Sequence, residues 1–97
     1  MTLAEILNDL EAIDDDMTIY ADKNPIWSAS SRTIVCLEDD VEQLHDGAGS
    51  LSYLLEVHLA KDAVQGWSDE RDGRTPTTTD KCEAVIYYAE NDTYLPA

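Results

Sequence analysis

The sequence predicts an α+β domain: an N-terminal helix, a small antiparallel sheet of two or three strands, and two C-terminal helices packed on it. Three observations carry this. Thr2 with Glu5, and Thr77 with Asp80, are capping boxes, and each precedes apolar residues at helical spacing. Thr33-Ile34-Val35-Cys36-Leu37 is a β-branched run of the kind found in buried strands. Residues 51–67 hold the longest periodic apolar segment of the chain. With 97 residues, 43% of them hydrophobic, one domain spanning 1–97 is expected rather than disorder.

Leu3, Ile6, Leu7 and Leu10 share one helical face, so the first helix is expected over Leu3–Ala12. Asp14-Asp15-Asp16 stops it, because acidic side chains oppose the negative end of the helix dipole. Met17–Ala21 alternates and reads as a short strand, and Asn24-Pro25 marks a turn. Ile26 and Trp27 either begin a further strand or plug the core from a loop. Thr33–Glu38 is the next strand. Residues 39–50 are polar, contain Gly47 and Gly49, and read as a loop in which Val41 and Leu44 allow one helical turn.

Leu51, Leu54, Leu55, Val57, Leu59, Val64 and Trp67 place the second helix over Ser50–Trp67, with Ser50 as its N-cap. Its apolar residues cover more than one face, which marks it as the central helix. A charged connection, 68–75, ends at Pro76. Thr77 then opens the third helix, whose stripe is Cys82, Val85, Ile86 and Ala89. Asn91-Asp92 ends that helix. Tyr94-Leu95-Pro96 is expected to fold back on the body.

Charge limits the partners. Twenty-one Asp and Glu stand against six Lys and Arg, a net charge of −15. Such a chain repels phosphate backbones and anionic lipid, so neither nucleic acid nor a membrane is an expected partner. It attracts basic protein surfaces and speeds their encounter. No apolar run approaches a membrane span, and Met1–Glu5 lacks the basic start of a signal peptide. Cys36 and Cys82 form neither a disulfide framework nor a C-x-x-C pair. A cytoplasmic protein with free thiols is the expectation.

Motifs for chemistry are weak. Residues 68–79 lie between two helices like a calcium loop, with Asp72 and Gly73 at its fifth and sixth positions. Thr79 stands where the bidentate Glu is needed, so a solvated helix connection is the better reading. Cys36, His45, His58 and Cys82 have no zinc-ligand spacing, and both cysteines sit in apolar runs as small core residues. Carboxylate pairs carry little information in a chain with 21 of them. Neither a metal nor another cofactor is expected. Trp27, Tyr53, Trp67 and Tyr88 are candidates to line a ligand cleft, against the plainer reading of core and boundary packing.

The run from Lys81 to Pro96, KCEAVIYYAENDTYLP, resembles the ending of a group of small uncharacterised bacterial proteins, and Leu54-Leu55-Glu56-Val57 and Pro76-Thr77 fit the same likeness. It covers about half the chain. In size and charge the chain also resembles immunity proteins of toxin systems and products of mobile gene cassettes. The resemblance implies a bacterial origin and supplies no site residue.

The leading functional expectation is a non-enzymatic module that binds a basic protein. Its candidate contact residues are Asp14, Asp15, Asp16, Glu38, Asp39, Asp40, Glu42 and Asp46, which flank the predicted sheet. The alternative is a small-ligand binder or enzyme using the aromatic cleft. Apolar surplus around the second helix, together with open sheet edges, adds the expectation of a homodimer.

Overall fold

The computed structural model describes residues 1–23, 26–37 and 51–96. The elements are α1 (Leu3–Asn8), a 3-10 turn (Leu10–Ala12), β1 (Met17–Asp22), β2 (Thr33–Leu37), β3 (Leu51–Glu56), α2 (Val57–Asp69) and α3 (Thr78–Asn91). This is the expected α+β fold, with an N-terminal helix, an antiparallel sheet and two later helices.

The sheet order is β2-β1-β3, and both outer strands run antiparallel to β1. Leu37 stands opposite Met17, and Leu51 stands opposite Asp22. Thus β2 leaves the sheet at one end of β1, and β3 enters at the other. Ile19 and Ala21 of β1 are fully buried on the face that the helices cover, together with Leu55. Leu3, Leu7, Val57, Ala60, Ala63 and Val85 bring α1, α2 and α3 into the same core. Each large apolar side chain so buried contributes roughly 1.5–3 kcal/mol.

Both capping boxes form. The Thr2 hydroxyl accepts from Glu5 N at 3.3 Å, and Thr2 N donates to Glu5 Oε1 at 2.9 Å. At α3 the corresponding distances, with Thr77 and Asp80, are 3.2 and 2.9 Å. Asp92 then ends α3 in the left-handed region, at φ 57°. The first helix is shorter than expected. It stops at Asn8 and gives way to the 3-10 turn, because Asn8 and Asp9 suit helix ends better than interiors. The tighter turn still buries Leu10.

The second helix is the main correction. Leu51–Glu56 is not its first turn and a half but the third strand. Pairing shifts between Ile19 and Tyr20, which inserts an extra residue into β3 at this point. The bulge puts Leu54 and Leu55 side by side in the core, both almost fully buried. Leu51, Leu54 and Leu55 therefore reproduce helical i, i+3, i+4 spacing inside a strand. No turn separates the two elements, since Glu56 is extended and serves as the N-cap of α2 without a side-chain bond. Ser50, the expected cap, lies outside the described residues, as do Asn24-Pro25 and the possible helical turn at Val41 and Leu44.

Trp27 plugs the core from a loop and donates Nε1–H to Ala21 O at 3.2 Å. The chain start guards the outer edge of β2. Thr33 N donates to Met1 O at 2.7 Å, Leu3 N to Ser31 O at 2.9 Å, and Thr2 bridges Arg32. The tail returns to the body as expected: the Tyr94 ring packs at a tilt against Tyr88, and Arg71 Nη2 donates to Pro96 O at 2.8 Å. Among the described residues, no helix is long and apolar enough to cross a membrane.

Candidate functional site

The acidic run Asp14–Asp16 forms the passage from the 3-10 turn into β1. Met17 N donates to Asp14 O at 3.1 Å, which closes the turn. Lys61, one turn into α2, reaches across to it. Its Nζ donates to Ile13 O at 2.8 Å and to Asp15 Oδ1 at 2.7 Å. That hydrogen bond, then the lysine charge, holds the Asp15 carboxyl below its ordinary range, with a smaller contribution from His58. Among the described residues, no hydrogen bond or ion pair engages the side chains of Asp14 and Asp16.

Around this turn lies an open groove of 470 Å³ whose lining includes Glu11, Asp14, Asp15, Asp16 and Lys61. Beside it is a second groove of 540 Å³, with Ile6, Ile13, Met17 and Val35 among its walls and Asp9 and Asp14 at its rim. The two grooves share Ala12, Ile13 and Asp14. Leu37, opposite Met17 and 44% exposed, adds apolar surface at this end of the sheet. Together the two grooves present Asp9, Glu11, Asp14, Asp15 and Asp16 against one lysine. Neither lining contains Ser, Cys or His. The arrangement can pair with cations next to an apolar surface.

Of the expected contact residues, Asp14, Asp15 and Asp16 stand here. Glu38, Asp39, Asp40, Glu42 and Asp46 lie outside the described residues. Leu37, the last described residue before them, pairs with Met17, which directly follows Asp16.

The four aromatic candidates occupy separate environments. Trp27 is buried beneath Lys23, whose Nζ is 4.3 Å from its ring centre. Tyr53 meets Tyr20 edge-on, at 6.2 Å between ring centres. Trp67 is buried under the Arg71 guanidinium, and Tyr88 packs at a tilt against Tyr94. None of the four lines either sheet-end groove or the third groove, of 430 Å³, on the outer side of α3. That third groove has Ala29, Cys82, Ile86 and Leu95 among its walls, with Glu83 and Glu90 beside them.

His58 is exposed, 3.9 Å from Glu56. Cys36 alternates with the core-facing Val35, so it belongs to the sheet face opposite the helices, whereas Cys82 is buried on α3. Burial, then the Glu83 charge, raises the Cys82 thiol pKa. His45 lies outside the described residues. Among those described, no group of three or more His, Cys, Asp or Glu is placed to hold a metal ion. Residues 68–79 run from the end of α2 into the start of α3; within them the Ser68 hydroxyl donates to Arg74 O at 2.8 Å, and Asp72 and Gly73 take positive φ values of 57° and 78°.

Sequence reasoning missed Lys61, Asp9 and the apolar wall. Lys61 is one of only three lysines, and it falls three residues after His58 on a helix, which was the available signal. Ile13, Met17 and Val35 come together only through the pairing of β1 with β2, which no local pattern displays.

No curated protein and no solved structure matches the chain. A family model described as a domain of unknown function, DUF7716, matches residues 1–97, and the chain belongs to that family.

Proposed function

We propose that the chain is a non-enzymatic module that binds a basic protein and covers part of its cationic surface. The observation that supports this most is at the Met17 end of the sheet. Four carboxylates share a groove with one lysine, that lysine is already bonded to Asp15, and Asp9 lines the adjoining groove. A further cation therefore finds Asp14 and Asp16 ready to pair, in a chain whose net charge of −15 draws it in. Glu38, Asp39, Asp40, Glu42 and Asp46 are proposed as further contact residues for their charge. A toxin-like or nucleic-acid-binding protein has the required chemistry, and an immunity-like role or a mobile-cassette origin in a bacterial cytoplasm fits it.

The test is retention from a lysate of the native host by the immobilised chain, alongside a variant with Asp14→Asn and Asp16→Asn. The expected result is a basic protein that is released as salt rises and is retained less by the variant. Retention that ignores both salt and the double substitution contradicts the proposal.

A further inference from the structure

We infer that the apolar groove beside the acidic turn is a socket for an amphipathic basic segment of the partner: an aliphatic or aromatic side chain enters between Ile13, Met17 and Val35, and neighbouring Lys or Arg side chains reach Asp9, Asp14 and Asp16. This rests on the preceding reading and adds to it where, and by what chemistry, the basic partner docks. Carboxylates alone would bind cations loosely, because exposed ion pairs are weak and screened by salt. Here an apolar groove of 540 Å³ shares Ala12, Ile13 and Asp14 with the acidic one. Apolar contact and charge pairing are thus available to one short segment at once.

The charge pattern selects the occupant. The charged side chains lining the groove, Asp9 and Asp14, are both carboxylates, so an uncharged or acidic apolar segment brings them no cation and faces repulsion if acidic. A purely basic segment leaves the apolar wall wet. The two methionines at the apolar groove, Met1 and Met17, suit side chains of several shapes, because the thioether chain is unbranched and adaptable. Lys61 fixes the turn through both of its bonds, so Asp14 at the socket and Asp16 in the adjoining groove stand on a restrained backbone.

The groove on α3 provides an internal control. It is also apolar and acid-rimmed, through Glu83 and Glu90, but shares no residue with the sheet end. The probe is a synthetic peptide with a leucine-rich half followed by lysines. Comparison peptides replace either the leucines with serine or the lysines with glutamate. Binding is read by fluorescence anisotropy, and its site by methyl chemical shifts of the labelled wild-type chain. The parent peptide is expected to bind and to shift Ile13, Met17 and Val35, and each comparison peptide to bind at least about tenfold more weakly. Ala12→Arg, at an exposed position common to both grooves, is expected to weaken the parent peptide by a similar factor. Glu83→Lys with Glu90→Lys is expected to leave it within about twofold.

Equal binding of the leucine-to-serine peptide overturns the socket. So does a response at Ile86 in place of the sheet end, or no binding of the parent peptide. None of these touches the broader reading, which falls only when the host lysate yields no salt-released basic protein. The methyl shifts need no variant, so the result stands even where a substitution harms folding.

Discussion

Gly66 is buried in the body of α2, and a Cβ built there would stand 2.7 Å from Cδ1 of Tyr94. Glycine within a helix ordinarily costs roughly 0.5–1 kcal/mol relative to alanine. Here it makes room for the returning tail. Gly66→Ala is therefore expected to destabilise the wild-type chain by about 1–2 kcal/mol, as overpacking outweighs the gain in helix propensity. In a Tyr94→Ala background the same substitution should stabilise by roughly 0.5–1 kcal/mol, and urea unfolding of the four variants reads the difference. Cys82 makes a second residue-scale test. Burial raises its thiol pKa, so little thiolate forms at neutral pH. Maleimide labelling followed by mass spectrometry should find Cys82 modified far more slowly in the native chain than in urea. Equal rates would contradict its place in the core. Little of this could be read in advance. The Gly66–Tyr94 contact joins residues that no local pattern connects, whereas Cys82 on its apolar stripe was legible as a core residue.

The elements divide by whether their signals are local. Thr2–Glu5 and Thr77–Asp80 are complete within four residues, and both boxes form where expected. β1 and β2 carry alternation or a β-branched run, and each lies within a residue of its expected bounds. β3 was hidden because the bulge places Leu54 and Leu55 together in the core and because Glu56 joins strand to helix without a turn. The caps lead to two predictions. Thr77→Ala should cost about 1 kcal/mol by removing an N-cap. Hydrogen bonds from Thr77 hold the Asp80 carboxyl below its ordinary range, and those from Thr2 do the same for Glu5. A carboxyl lowered in the folded state adds stability above its unfolded value and loses it as pH falls through the folded one. The caps should therefore hold at neutral pH and fail below about pH 4. From about pH 7 down to 5, partial neutralisation relieves the repulsion among the net −15 charges and acts in the opposite direction. Thermal unfolding should show a rise in stability and then a fall along that path. A monotonic loss from neutrality would show that repulsion is not limiting.

For the whole molecule, charge and edge exposure set the terms of association. The surplus of apolar surface expected around the second helix is gone, since Leu51, Leu54 and Leu55 belong to β3. What still supports a proposed homodimer is β3, an edge strand among the described residues, while the chain start guards the β2 edge. Repulsion between two such copies is screened beyond ~8 Å at physiological salt. Sedimentation equilibrium should therefore show the dimer strengthening as salt is added, and a monomer at both low and moderate salt would end the proposal. Binding of a basic partner should run the other way, weakening with salt. The acidic half of the candidate site was legible as Asp14–Asp16. Its apolar half was not, because it exists only once β2 lies against β1 and the 3-10 turn folds over them. The most direct test of the central claim is carbodiimide cross-linking of the chain to the basic protein retained from its host, with the linked residues read by mass spectrometry. Partner lysines are expected to be joined to Asp9, Asp14 or Asp16. Links confined to Glu83 and Glu90, or spread evenly over the exposed carboxylates, would contradict it.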